Sequence, residues 1–211
     1  MLDLTTILVF SAAALLLSIT PGPDMLYIIA RSVGQGRGAG LVSILGIYTG
    51  VIVHIAAAVL GLSALLASSA LAFSIVKYLG AAYLIYLGVR TLLSKEEEVE
   101  KPQLSRATSY KIYYQGMVTN VLNPKIALFF LAFLPQFVTP GQGAVGMQIL
   151  LLGLLFVVNG ALVDVTVALL AGALGNWLKA KTVFWEAQRW FTGTVFIALG
   201  VGTAFADTRK S

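Results

Sequence analysis

Six apolar runs, at about 4–31, 41–64, 70–93, 109–138, 145–174 and 186–206, are separated along the chain by short polar stretches. A helix needs about 20 residues to cross the hydrocarbon core of a bilayer, so the pattern predicts six transmembrane helices joined by short loops. The third run begins after Ser68-Ser69 and ends before Ser94; the sixth starts near Glu186 and carries Trp190, a ring suited to the membrane interface. Two of the runs are interrupted. Thr20-Pro21-Gly22-Pro23-Asp24 cuts the first and Leu122-Asn123-Pro124-Lys125 cuts the fourth. Proline ends a helical hydrogen-bond ladder, and irregular backbone at membrane depth is tolerated only where it is buried in protein or lines a cavity. Paired breaks at corresponding places in two halves of a chain point to the binding site of a secondary transporter.

Composition agrees with the pattern. Of 211 residues 58% are hydrophobic and 11% charged, against roughly 25% charged in soluble domains, so the chain is expected to be one integral membrane domain over 1–211. The net charge of +5 is a topology signal rather than a nucleic-acid footprint, because the basic residues sit between apolar runs. Arg31 and Arg37 mark the first loop; Arg90, Lys95, Lys101, Arg106 and Lys111 the third; Lys179, Lys181 and Arg189 the fifth. The stretches 65–69 and 139–144 carry none. Loops one, three and five are therefore expected in the cytoplasm and both termini outside, with Lys77, Arg209 and Lys210 dissenting. The N-terminus lacks the basic region of a secretory signal, so the first run is expected to be retained. The absence of cysteine excludes disulfides and thiolate metal or redox chemistry. No cofactor or metal site is expected.

The two halves resemble each other. Pro23-Asp24 aligns with Pro124-Lys125, and Leu87-Gly88-Val89-Arg90-Thr91 with Leu199-Gly200-Val201-Gly202-Thr203. With three spans per half, the second repeat enters the membrane in the opposite sense. The expected fold is therefore all-α, six transmembrane helices as two inverted three-helix repeats (about 1–93 and 109–206), with helices 1 and 4 broken. A charged cytoplasmic linker at about 94–108 joins them.

Charges inside membrane spans are costly and usually functional. Asp24 stands in the first turn after its proline, where a carboxylate is a good helix cap and equally a site for a substrate ammonium or a coupling proton. Lys125 stands in the corresponding turn of the fourth run, at the positive end of a half-helix where a cation is disfavoured. An anion is expected beside it, either Asp24 or a substrate carboxylate. Asn123 adds an amide at the same break, and Tyr27 is a further candidate to line the cavity. Asp164 lies mid-run on a stripe with Gly153, Gly160, Ala161, Ala168, Ala171 and Gly175, a surface for close helix packing. Burial favours the protonated form of a carboxyl group, so Asp164 is the candidate proton carrier. His54, the single histidine, shares a stripe with Ser43, Gly46, Gly50, Ala57, Ala58 and Gly61; it is read as a proton relay or an interhelical hydrogen-bonding group. Asn159 is a weaker cavity candidate. Gly34-Gln35-Gly36-Arg37-Gly38 has no preceding strand and reads as a tight turn, not a phosphate loop.

Thr20-Pro21-Gly22-Pro23-Asp24, Gly36-Arg37-Gly38-Ala39-Gly40, the run Tyr78–Gly88 and Leu122-Asn123-Pro124-Lys125 together resemble the LysE/RhtB family of amino-acid exporters, over nearly the whole chain and in order. The resemblance implies a bacterial inner-membrane exporter of amino acids, driven by the proton motive force and dimeric. It carries the family's motif positions to Pro21, Gly22, Pro23, Asp24, Asn123, Pro124 and Lys125, and an acidic position to Asp164. An enzyme is not expected. The alternative is a transporter of an inorganic ion or another small solute, for which an oxygen-rich cluster or a ring of like charge would be wanted.

Overall fold

The computed structural model describes residues 2–68, 70–93, 105–139, 141, 143–178 and 182–205, and every regular element among the described residues is a helix. Helix α1 (Leu4–Ile19) ends at Thr20, and α2 (Pro23–Gln35) restarts with Pro23 at its first position, where a missing N–H costs nothing. The two axes meet at 53°. Helix α3 (Arg37–Ser68) follows after one residue, Gly36, whose φ of 88° lies in the region that glycine alone enters without strain. Next comes α4 (Ala70–Leu93).

The second half repeats the order. Helix α5 (Ser109–Val121), N-capped by Thr108, breaks at Leu122-Asn123, and α6 (Pro124–Leu128) restarts on Pro124 at 46°. A π-helical turn (Phe129–Phe133) and a 3-10 turn (Leu134–Phe137) complete that run; Pro135, with no N–H to donate, sits where the helical register changes. Helices α7 (Val145–Leu178) and α8 (Thr182–Phe205) close the chain.

Polarity is inverted relative to a water-soluble protein. Leu4, Leu45, Leu60, Leu122 and Leu162 are at least 64% exposed, while Asp24, Arg31, Asn120, Asn123, Lys125 and Asp164 are at most 9% exposed. Such a surface fits lipid, not water. Among the described residues, Arg37–Gly61 of α3 and Val145–Ala173 of α7 are long and apolar enough to span a membrane, and up to four spans result when each bent pair counts as one. The apolar stretches Tyr78–Leu93 of α4 and Trp190–Ala204 of α8 are shorter.

Helices α3 and α7 form the centre, with α5 packed on α3, α2 between α3 and α7, and α1 against α7, while α4 and α8 pair along their lengths. Close approach depends on glycine. A Cβ on Gly88 of α4 would lie 2.7 Å from the Gly193 carbonyl oxygen of α8. An aromatic cluster of Phe10, Phe129, Phe133, Phe137 and Phe156 ties α1, the second broken run and α7 together, with ring centroids 4.9–5.6 Å apart.

Two expectations change. Arg31, read as a loop cation, lies within α2 and is 2% exposed, because α2 runs on to Gln35 and the first loop shrinks to Gly36. Gly61, placed on the packing stripe of α3, is exposed, with no atom of a neighbouring helix within 4 Å of where a Cβ would stand. Most of the expected linker, 94–104, with Lys95 and Lys101, lies outside the described residues, as do Lys179, Lys181, Arg209 and Lys210.

Candidate functional site

The two breaks meet. A small cavity of about 30 Å³ lies between them, lined by Asp24 of α2, Asn120 of α5, Lys125 of α6, Asp164 of α7 and Tyr48 of α3, with Phe156 and Val51 among its apolar walls. The space suits one or a few water molecules and is far below the roughly 300 Å³ of a small-ligand pocket.

Each polar group is held by a local device. Asn123 caps α6: its Oδ1 accepts from the Lys125 backbone N–H at 3.0 Å, and its Nδ2 donates to Asp24 Oδ2 at 2.9 Å. Asn120 donates to the same oxygen at 2.7 Å. One carboxylate oxygen thus receives two amides from the opposite half of the chain. The other, Asp24 Oδ1, is buried and has no hydrogen-bond partner, and neither has Asn120 Oδ1. An unpartnered buried acceptor costs about 1–3 kcal/mol, and more when charged.

Lys125 finds its negative partner in backbone. Its Nζ donates to the carbonyl oxygens of Leu17 at 2.9 Å and Thr20 at 2.6 Å, at the end of α1. The last carbonyls of a helix lack intrahelical partners and carry the negative end of the helix dipole. The charge requirement read from the sequence is therefore met by the cut end of α1, and Lys125 makes no direct ion pair with Asp24 among the described residues. The lysine side chain lies across the first break, its Nζ 3.4 Å from where a Cβ on Gly22 would stand.

Asp164 accepts a hydrogen bond from Tyr48 Oη at 2.8 Å through Oδ2, which joins α3 to α7 across the cavity. A methyl on Gly160, one turn earlier, would come within 2.6 Å of that hydroxyl, so the small-residue stripe makes room for the tyrosine.

The remaining candidates lie elsewhere. His54 is half-buried, its Nε2 3.1 Å from the Asn120 carbonyl oxygen and its ring stacked on Phe130; it is not among the residues that line the cavity. Tyr27 does not line the cavity. Its hydroxyl donates to the Ile112 carbonyl at 2.9 Å and accepts from Arg31 Nε at 3.2 Å. The Arg31 guanidinium also donates to Gln35 Oε1, Gln115 Oε1 and the Ser105 carbonyl, while Gln35 clamps the backbone of Ala107 through both ends of its side-chain amide. This polar cluster fastens the end of α2 to the start of α5. Asn159 keeps a buried Nδ2 without a partner and is not among the lining residues.

Asn120 and Tyr48 were missed in the sequence. For Asn120 a signal existed: an amide inside an apolar run, one helical turn before Asn123. For Tyr48 there was none, since its role rests on facing Asp164 from another helix.

Comparison with known proteins identifies the family. The family model "LysE type translocator" matches residues 15–206. An uncharacterized membrane protein, YrhP of Bacillus subtilis, is 30% identical, the match covering 95% of this chain and 99% of that protein. A homoserine/homoserine lactone efflux protein of Salmonella typhimurium is 32% identical over 90% of this chain and 92% of its own length. A leucine efflux protein of Salmonella choleraesuis is 28% identical over 61% of each chain. No solved structure matches. With broken helices, buried charges and a family match over nearly its whole length, the chain belongs to the LysE-type translocators.

Proposed function

We propose that this protein is a secondary transporter that exports amino acids or related small zwitterions across the bacterial inner membrane, driven by the proton motive force. The observation that carries the reading is the convergence of Asp24, Lys125 and Asp164 on one cavity at the meeting point of two helix breaks. The relatives named as homoserine and leucine efflux proteins support the cargo class. In this reading Asp24 receives the substrate ammonium through Oδ1, beside Asn120 and Asn123, and the remaining N–H of Lys125 faces the carboxylate. Asp164, tethered by Tyr48, carries the proton inward as the substrate leaves.

The cavity is too small for an amino acid, so transport needs the walls to separate on one side at a time. The repeated order of a broken run, a long unbroken helix and a shorter helix, with α4 paired to α8, supports two inverted repeats as the moving halves. On this topology the Arg31 cluster lies toward the cytoplasm, both termini are periplasmic, and dimerisation is a further expectation.

Everted membrane vesicles from cells producing the protein test the proposal. Energised vesicles should accumulate at least one labelled amino acid from a panel that includes leucine and homoserine, and a protonophore should collapse the gradient. Asp24→Asn and Asp164→Asn, each near-isosteric, should abolish accumulation with normal amounts of protein in the membrane. Accumulation of none of the panel, or accumulation indifferent to the protonophore and to Asp164→Asn, overturns it.

A further inference from the structure

Hydrogen-bonding capacity around the cavity is unequally divided between acceptors and donors. On the acceptor side, Asp24 is 91% buried by its 9% exposure and its Oδ1 has no partner, while both amides of its neighbours already occupy Oδ2. Tyr48 engages only Oδ2 of Asp164. On the donor side, the Tyr48 hydroxyl is committed to Asp164, the Ser18 hydroxyl to the Ala14 carbonyl at 2.8 Å, and two of the three N–H groups of Lys125 to the end of α1. Among the side chains, what remains to greet a ligand anion is one N–H on Lys125 and one on the Asn120 amide. Two carboxylates and one ammonium face the space.

The amide orientation behind this census is set by chemistry. Asn120 must turn its NH₂ toward the Asp24 carboxylate, which accepts and cannot donate. Its oxygen is thereby left facing Gly50, 2.7 Å from where a Cβ would stand. A ligand that brings N–H groups and positive charge satisfies Asp24; among the lining side chains, one that brings a carboxylate meets more acceptors than donors.

We propose that the cavity selects its cargo through the ammonium group, and that small primary amines lacking a carboxylate, such as α-amino amides, belong to its substrate class. This rests on the exporter reading and sharpens it: the amine is the obligatory handle, and the carboxylate is carried rather than recognised. Lys125 commits two of its three N–H groups to the end of α1, so it acts first as the splice between the two breaks, and the one N–H it turns to the substrate's carboxylate is not what decides binding.

The test uses three probes that share one side chain: leucine, leucinamide and N-acetylleucine, with homoserine and its amide as a second series. Everted vesicles report competition against whichever labelled amino acid accumulates. Thermal stabilisation of the purified protein in detergent reports binding without transport. The amide should compete within about tenfold of the parent amino acid, whereas the N-acetyl compound, which keeps the carboxylate and loses the charged amine, should be at least about a hundredfold weaker. Asp24→Asn should abolish stabilisation by amide and amino acid alike. Competition by the N-acetyl compound equal to the parent's, or an amide inert at hundredfold excess while the amino acid is exported, overturns the proposal and leaves the exporter reading standing. Asp24-dependent stabilisation by the amides, in a protein that accumulates no amino acid, keeps the amine site and overturns the exporter reading.

Discussion

Gly50 of α3 offers a direct measure of how tightly the site is built. A Cβ there would stand 2.7 Å from Asn120 Oδ1, 2.8 Å from Asn120 Cβ and 2.9 Å from the Met117 carbonyl oxygen. Carbon contacts relax near 3.5–4.0 Å, so the overlap approaches an ångström, and two of the three opposing atoms are anchored to the α5 backbone. Gly50→Ala therefore forces α5 outward or swings Asn120 away from Asp24. Overpacking costs about 1–3 kcal/mol, loss of the amide bond to the carboxylate about 1.5–3 kcal/mol, and the better helix propensity of alanine returns about 1 kcal/mol. The net expectation is a loss of about 2–5 kcal/mol. At roughly 2–4 °C per kcal/mol for a chain of this size, the unfolding midpoint in detergent should fall by about 4–20 °C. Gly61→Ala, in the same helix but with open space around the new methyl, should leave the midpoint unchanged or slightly raised. Equal shifts for the two variants, or a Gly50→Ala midpoint at or above the parent's, would refute the packing argument.

Three further outcomes are expected. Lys125→Met strips the last carbonyls of α1 of their donor and Asp24 of its neighbouring positive charge; stability should drop by about 2–4 kcal/mol in chemical denaturation, and efflux should cease. Tyr48→Phe removes one hydrogen bond to Asp164 and should slow efflux about tenfold, with a stability loss of about 1–2 kcal/mol; an unchanged rate would remove the tether from the mechanism. Arg31→Lys cannot reproduce the fork of guanidinium contacts to Tyr27, Gln35, Gln115 and Ser105, so the Ser105 region should loosen. Because the chain has no cysteine, a single Ser105→Cys label site can report this, with faster maleimide reaction in the Arg31→Lys background than in its absence.

Much of the architecture was legible in the sequence, because lipid imposes long apolar runs and because proline leaves an unambiguous mark where a run is cut. Helix α4 occupies the apolar run read over 70–93, and both breaks fall at the predicted prolines. Helix ends were less legible: α3 and α7 continue past their apolar runs, to Ser68 and Leu178, since backbone hydrogen bonding does not stop where hydropathy falls. At the site, Asp24, Asn123, Lys125 and Asp164 announced themselves as polar groups in an apolar context. Their partners did not. That Lys125 would answer to backbone oxygens, that Tyr27 would serve Arg31 instead of the cavity, and that Tyr48 would reach Asp164 all depend on which helix faces which. Periodicity within one helix carries no information about that.

The lysine spliced onto the end of α1 also bears on how the protein is made. Chain synthesis delivers α1 more than a hundred residues before Lys125 exists. Until then the carbonyl oxygens of Leu17 and Thr20 have no donor from the second half, and Asp24 lacks the two asparagine amides that hold it. The first half released into the bilayer is thus a provisional insertion, with its broken end solvated by water or headgroups. It becomes a finished membrane structure only when the second half arrives and docks. Severed halves should consequently be poor substrates for independent insertion and good ones for quality-control proteases, and co-expression of both should rescue either.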